Sequence, residues 1–192
     1  MNKTAITAAQ ILPVLADRWS PRSFDGDYKL TQHELLSILE AARWAPSANN
    51  GQPWRFSVLT RETDLFNQVA AEGLSGFNQA WAPKASALVV VSIKTLTADG
   101  KDNHFAPYDA GLAVANLVIQ AHELGLHAHQ IGGFIPDALR SILGLAEDLR
   151  PIVVVAIGKV APADQLEGPA YEREIQPRTR LELDEIVLHG KP

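Results

Sequence analysis

Apolar residues fall along this chain either at helical spacing or in short continuous runs, and the switches between the two mark out its elements. Thr31-x-x-Glu34 opens a segment with Leu35, Ile38, Leu39 and Ala42 at helical spacing. A threonine followed three residues later by glutamate is the pattern of a capping box, so a helix is predicted from about Thr31 to Trp44, stopping before Pro46. Arg55 to Leu59 is short and rich in β-formers, while Ala87 to Ile93 and Pro151 to Ile157 are apolar runs that read as strands buried on both faces. Asp109 to Leu124 has few polar interruptions and is followed by Gly125, which predicts a helix buried nearly all round. Pro136 to Leu143, closed by Gly144, reads as a shorter helix with Leu139, Ile142 and Leu143 inward. The predicted order is helix, helix, strand, helix, strand, helix, strand, helix, strand and a tail. No period of 20 to 50 residues repeats and no low-complexity tract interrupts this order.

Residues 161–192 change character. They carry Pro162, Gly168, Pro169 and Pro177, then Arg178-Thr-Arg180 and the apolar-bearing stretch from Leu181 to Gly190. Some thirty residues of poorly self-packing chain need an outside surface, so this C-terminal arm is expected to lie on a second subunit.

The length of 192 residues, with 46% hydrophobic and 20% charged residues, suits one domain, 1–192, able to bury roughly 70% of its unfolded surface. There is no cysteine, which excludes disulfides, Fe–S clusters, thiolate zinc sites and a cysteine nucleophile and fits a cytoplasmic setting. With 17 Lys+Arg against 22 Asp+Glu the net charge is −5, so general nucleic-acid binding is disfavoured. The first residues break their apolar run at Thr7, Gln10 and Pro13, and no signal peptide is expected. The longest apolar stretch, Ala85 to Ile93, is too short to cross a membrane, and a soluble protein follows.

Against this acidic background, arginines gather at Arg18-Trp19-Ser20-Pro21-Arg22 and at Arg178-Thr179-Arg180. A phosphate monoester wants bidentate, charge-assisted donors from several directions, which arginine supplies best. Spacing alone is also satisfied by solvated surface arginines. Between a helix and a strand, Ala45 to Trp54 packs small residues, amides and turn formers into ten positions. Amides match a heterocycle whose edge alternates C=O and N–H, although the same residues build plain connectors. His127-x-His129 would set two rings on one face of a strand, but no third ligand is in view and no metal is expected. His33, His104, His122 and His189 read as surface or packing residues. There is no GxGxxG after a strand, no GxxxxGK[ST], no GxSxG and no HExxH.

RWSPRSF, EAARWAPSANNGQPWRF, NQAWAPKASALVVVS, DAGLAVANLVIQAHELGL followed by IGGF, and PRTRL occur in the order seen in the nitroreductase superfamily of FMN-dependent oxidoreductases. The resemblance spans Arg18 to Leu181. It implies an α+β fold, a central mostly antiparallel sheet flanked by helices, in an intertwined homodimer with FMN at the subunit interface. By this resemblance Arg18, Ser20 and Arg22 bind FMN, with Trp19 contributing main chain, and Arg178 and Arg180 match the late basic pair, so that four arginines surround one phosphate. Pro46, Ser47, Ala48, Asn50 and Gln52 match a loop that covers the flavin from the other subunit. Asn78 matches an amide on the pyrimidine side, and Ile131, Gly132 and Gly133 match the segment near flavin N5, where glycine permits close main-chain approach.

The chain departs from some members in carrying Trp81 where they have lysine and Gly132 where they have an acidic residue. Arg18 and Arg22 then become candidates to stabilise charge at the N1/O2 locus. Residues Leu96 to Pro107 replace longer inserted helices. Phe105 and Tyr108 are candidate lid residues over the acceptor, or ordinary packing aromatics. The tail from Glu185 to Leu188 is expected to add a strand to the partner's sheet. The implied activity is ping-pong transfer of hydride from NADH or NADPH to a nitroaromatic, quinone or other electron-poor small-molecule acceptor. No side chain is assigned as catalytic acid or base, because the cofactor carries the chemistry. Dehalogenation, flavin cleavage, heterocycle oxidation and non-catalytic flavin binding are alternatives on the same fold.

Overall fold

The computed structural model describes residues 3–190. A short helix, α1 (Pro13–Asp17), precedes α2 (Gln32–Arg43), which starts as its capping box requires. Thr31 Oγ1 accepts the Glu34 N–H at 3.2 Å and the Glu34 carboxylate accepts the Thr31 N–H at 2.8 Å. Then follow β1 (Trp54–Thr60), α3 (Asp64–Gln68) with a π-type turn at Val69–Gly73, α4 (Asn78–Trp81), β2 (Ala87–Lys94), α5 (Ala106–Glu123), β3 (His127–Ile131), α6 (Pro136–Leu143) and β4 (Leu149–Gly158). Helix α5 begins three residues before the predicted Asp109, because Pro107 sits in its first turn, where a missing N–H costs nothing. Gly144 ends α6 at φ 58°, the left-handed conformation that glycine adopts without penalty.

The four strands form one antiparallel sheet in the order β1-β2-β4-β3. Strand β4 runs through Pro151, which a central strand rarely tolerates. Here the register against β2 slips between Val91 and Ser92, so the proline falls at the irregularity. The two-residue pleat then sorts the apolar run of β2. Val89, Val91 and Ile93 pack with Val155 and Ile157 under residues of α2 and α5. Leu88 and Val90 pack with Val154 and Ala156 on the other face, under Phe66, Trp81, Leu139 and Ala170. Each wholly buried valine or leucine contributes about 1.5–3 kcal/mol, which is why both faces need helical cover.

The chain after β4 divides in two. Leu166, Ala170 and Glu174 recur every four residues, and all three are buried, so α7 (Gly168–Ile175) packs on its own chain. That much of the expected arm does not need a partner. Beyond Arg180 the chain is exposed, and Leu183–Ile186 forms a helical turn, α8, where a strand over Glu185–Leu188 was expected. The turn closes locally, with the Val187 N–H donating to the Leu183 carbonyl at 2.9 Å and Glu185 accepting the Glu182 N–H at 3.0 Å. Among the described residues no helix is long and apolar enough to cross a membrane.

Candidate functional site

Residues 18–24 run between β3 and α7, and their main chain is held from both sides. The His129 Nδ1–H donates to the Pro21 carbonyl at 2.8 Å. The buried Glu174 carboxylate accepts the Arg22 N–H at 2.7 Å and the Ser23 N–H at 3.1 Å. Ser23 Oγ donates to the Pro162 carbonyl at 2.6 Å, and Gln165 Nε2 donates to Ser23 Oγ and the Phe24 carbonyl, both at 2.8 Å. Ser20 Oγ meets Gln130 Oε1 at 3.3 Å. The arginine side chains are treated differently. Arg18 Nε and Arg22 Nε are both buried and make no hydrogen bond. A buried donor without an acceptor is costly, and each of these half-buried side chains holds an Nε–H that lacks a protein acceptor.

The arginines fall into two groups. Burial, followed by the charges of Arg178 and Arg180, lowers the pKa of Arg18. Burial and Arg180 do the same to Arg178, partly offset by Asp17. Arg178 is fastened to the N-terminal segment, donating to the Lys3 and Ala16 carbonyls at 2.6 and 2.5 Å. Arg22 has other neighbours. Its pKa is lowered by burial, raised by Glu174 and lowered by Arg173, and its guanidinium and that of Arg173 lie 5.8 and 4.7 Å from the Phe77 ring centroid. Of the four arginines expected around one group, Arg18 thus feels Arg178 and Arg180 most, while Arg22 feels Glu174 and Arg173 and lies beside Phe77.

Asn78 adjoins the glycines after β3. Its Nδ2 donates to the Ser75 carbonyl at 3.1 Å and the Gly133 carbonyl at 3.2 Å. A Cβ on Gly133 would stand 2.5 Å from that nitrogen, whereas one on Gly132 would meet nothing within 4 Å. Ile131 is buried in the core, so only its main chain is available to a ligand. Trp81 is wholly buried, stacked with Phe24 at 6.1 Å and tilted against the His129 ring at 4.6 Å. Bulky apolar packing thus replaces a cation at this position.

His127 and His129 do share one face of β3, as the alternation predicts, but their surroundings are aromatic. The His127 ring stands edge-on to His122 at 4.9 Å and to Trp19 at 6.0 Å. Burial, then His122 and Arg18, holds the His127 pKa down to about 4; burial is also the main cause for His129, likewise at about 4. Both rings are neutral at pH 7. Among the described residues no three His, Cys, Asp or Glu side chains are grouped to hold a metal ion.

The Pro46–Gln52 loop lies elsewhere. It leads into β1, the edge strand opposite β3, and among the described residues no hydrogen bond joins it to Arg18–Arg22. Asn49, Asn50 and Gln52 take left-handed backbone conformations with φ of 51°, 55° and 44°. Such residues cost of order 1 kcal/mol each and persist only where the surroundings enforce them. Here Ser47 Oγ accepts the Gln52 N–H at 3.0 Å, and the buried Asp109 carboxylate accepts the Ala48 N–H at 3.1 and 3.3 Å. Ala48, Asn49 and Gly51 line a cavity of about 910 Å³ together with Phe105. Phe105 and Tyr108 are both exposed at the start of α5, and of these two candidate lid residues Phe105 lines the cavity with the loop.

Glu174, Gln130 and Arg173 were missed from sequence, because single polar residues on a short strand and a tail helix carry no motif. The one available signal was Glu174 standing where the four-residue apolar stripe of α7 calls for a hydrophobe.

An antiparallel sheet covered on both faces, with half-buried and exposed arginines beside its β3 edge and a strained amide loop at the opposite edge, defines an α+β protein. The chain belongs to the nitroreductase family, whose model matches residues 15–159. It is similar to the oxygen-insensitive NAD(P)H nitroreductase of Salmonella typhimurium, at 27% identity over 91% of this chain and 96% of that protein. A shorter stretch of 78 residues is 46% identical to an oxygen-insensitive NADPH nitroreductase of Helicobacter acinonychis, covering 41% of this chain and 36% of that one. A crystal structure described as an oxidoreductase containing FMN superposes with a TM-score of 0.91 at 35% identity, over 100% of this chain and 96% of the other.

Proposed function

We infer that this chain is an FMN-dependent oxidoreductase that uses NADH or NADPH to reduce nitroaromatic, quinone or other electron-poor small molecules in a ping-pong cycle. The observation that carries the reading is the pair of buried, unpartnered guanidinium Nε atoms, Arg18 beside Arg178 and Arg180, and Arg22 beside Arg173. FMN presents a phosphate at one end and a hydrogen-bonding pyrimidine edge at the other, so two separated cationic places fit it better than one ring of four. When bound, FMN supplies the hydride-accepting and hydride-donating chemistry.

The side chains bind, orient and tune. Arg18, Arg178 and Arg180 hold the phosphate, with Ser20 and the Trp19 main chain beside them. Arg22 and Asn78 address the pyrimidine end, where Arg22 opposes negative charge as it builds on the ring in a water-poor setting. The free space at Gly132 admits the ring to the main chain of Ile131–Gly133. No acid or base among the side chains is assigned.

The separation of the 46–52 loop from the arginines supports a homodimer in which the loop of a second copy, with its Phe105 and Tyr108, covers the cofactor and frames the acceptor. The exposed apolar residues Leu181, Leu183, Ile186 and Leu188 support a shorter arm, after Arg180, laid on that copy. A single domain over 1–192 and a cytoplasmic setting complete the reading.

The test is anaerobic. Purified protein should be yellow, bleach with NADH or NADPH, and recolour with a nitroaromatic or quinone. A colourless protein that takes up no FMN on incubation overturns the reading.

A further inference from the structure

Leu166, just ahead of α7, and Ala170 within it cover the second face of the sheet four residues apart, and the third place of that spacing is Glu174. A hydrophobe there would complete the packing at no electrostatic cost. A carboxylate that is 2% exposed instead pays desolvation, so its presence needs a reason. No side-chain salt bridge holds it among the described residues. Its two oxygens accept the main-chain N–H groups of Arg22 and Ser23, one each, and its own carbonyl accepts Lys3 Nζ at 2.6 Å. The charges of Arg22 and Lys3 both feel it directly. The residue at the start of that clamp, Arg22, carries one of the two arginine Nε atoms that are buried and unpartnered.

These observations fit one role. Two convergent N–H donors on one carboxylate fix the orientation of the Arg22 peptide, and with it the direction in which the guanidinium leaves the backbone. The negative charge of Glu174 also offsets the repulsion that half-buried Arg22 meets from Arg173. We propose that Glu174 is a positioning residue that acts through Arg22 to set the affinity of the pyrimidine end of the site for FMN. The inference rests on the oxidoreductase reading above.

The role predicts an effect opposite in sign to simple electrostatics. Removing a negative charge near an anionic ligand should tighten binding, whereas releasing Arg22 should weaken it. FMN is titrated into FMN-free wild type, Glu174→Gln, Glu174→Asp and Arg22→Ala with and without Glu174→Gln, following quenching of flavin fluorescence, with thermal midpoints of the same FMN-free samples. Glutamine keeps the length but turns one acceptor into a donor, and aspartate keeps the charge but cannot reach both N–H groups. Both are expected to weaken FMN binding roughly tenfold, the scale of one lost hydrogen bond to a charged group. In the Arg22→Ala background the glutamine effect should shrink to within about twofold, because the interaction it reports has been removed.

Tighter binding by Glu174→Gln, a lowered thermal midpoint with unchanged FMN affinity, or equal weakening with and without Arg22 each overturns the proposal. If Glu174→Gln does not fold, Glu174→Asp decides, since an affinity equal to wild type would show that charge and not position matters. Wild type that takes up no FMN sinks the oxidoreductase reading and this inference together, whereas wild type and variants with equal affinities sink this inference alone.

Discussion

Gly132 and Gly133 are adjacent, yet the structure predicts that alanine at each will fail in a different way. At Gly133 the new Cβ would lie 2.5 Å from Asn78 Nδ2 and 3.3 Å from Ser75 Oγ. Ordinary contact begins near 3.4 Å, so the Asn78 amide must withdraw by about 1 Å, given that the nearby Ser75 hydroxyl is also tight. That movement breaks its bonds to the Ser75 and Gly133 carbonyls, at 3.1 and 3.2 Å. At about 0.5–1.5 kcal/mol net for each, Gly133→Ala should cost about 1–3 kcal/mol. For a chain of this size that lowers the thermal midpoint by about 2–4 °C per kcal/mol. At Gly132 a Cβ meets nothing within 4 Å, so Gly132→Ala should unfold at the wild-type temperature. Under the proposed function both variants should bind FMN more weakly, the first because Asn78 has moved and the second because the Cβ fills the space the ring would use. The assay is differential scanning fluorimetry of the FMN-free proteins, paired with flavin fluorescence titration. Equal midpoints for the two variants would refute the packing argument. Wild-type FMN affinity in Gly132→Ala would refute the assignment of the open space to the cofactor.

Arg18→Ala and Arg178→Ala should each weaken FMN binding by about 10- to 100-fold, the loss of one charge-assisted contact, with wild-type affinity falling more steeply than theirs as salt rises. Binding by equilibrium dialysis at two ionic strengths tests this, and unchanged affinity in both variants removes the phosphate assignment. His129 predicts a pH effect. Its folded pKa of about 4 lies below the ordinary 6.5, so the unfolded chain takes up the proton first. Its contribution is therefore complete above pH 6.5 and is lost as pH falls toward 4, amounting to about 3 kcal/mol for this buried ring. Chemical denaturation at pH 7 and pH 4.5 should show a smaller loss for His129→Gln than for wild type; parallel losses would sink the idea.

How much of this was legible in the sequence depended on whether a local rule governed the segment. The capping box at Thr31 and Glu34, the left-handed stop at Gly144 and the continuous apolar run from Ala87 to Ile93 are decided by residues a few positions apart, so the elements they mark appear where the pattern places them. The start of α5 was misplaced because Pro107 reads as a breaker until its position in the first turn is known. The tail was read as one unpacked arm because Leu166, Ala170 and Glu174 make a stripe of which one member is charged, and a carboxylate is buried only where distant N–H groups await it. The arginine motifs were visible as charge clusters, but their grouping was not. Arg178 acts on Arg18, and Arg173 on Arg22, through their charges, between residues up to 160 positions apart.

By itself, then, the sequence determined the order of elements, the apolar strands buried on both faces, and the two clusters of arginine, since each follows from short-range sterics, hydrogen bonding and hydropathy. Only the tertiary structure decided which cations share a neighbourhood, that Glu174 holds the Arg22 peptide, and that the amide loop stands at the sheet edge away from the arginines. Those are matters of long-range packing, in which the burial of one group sets the charge and freedom of another.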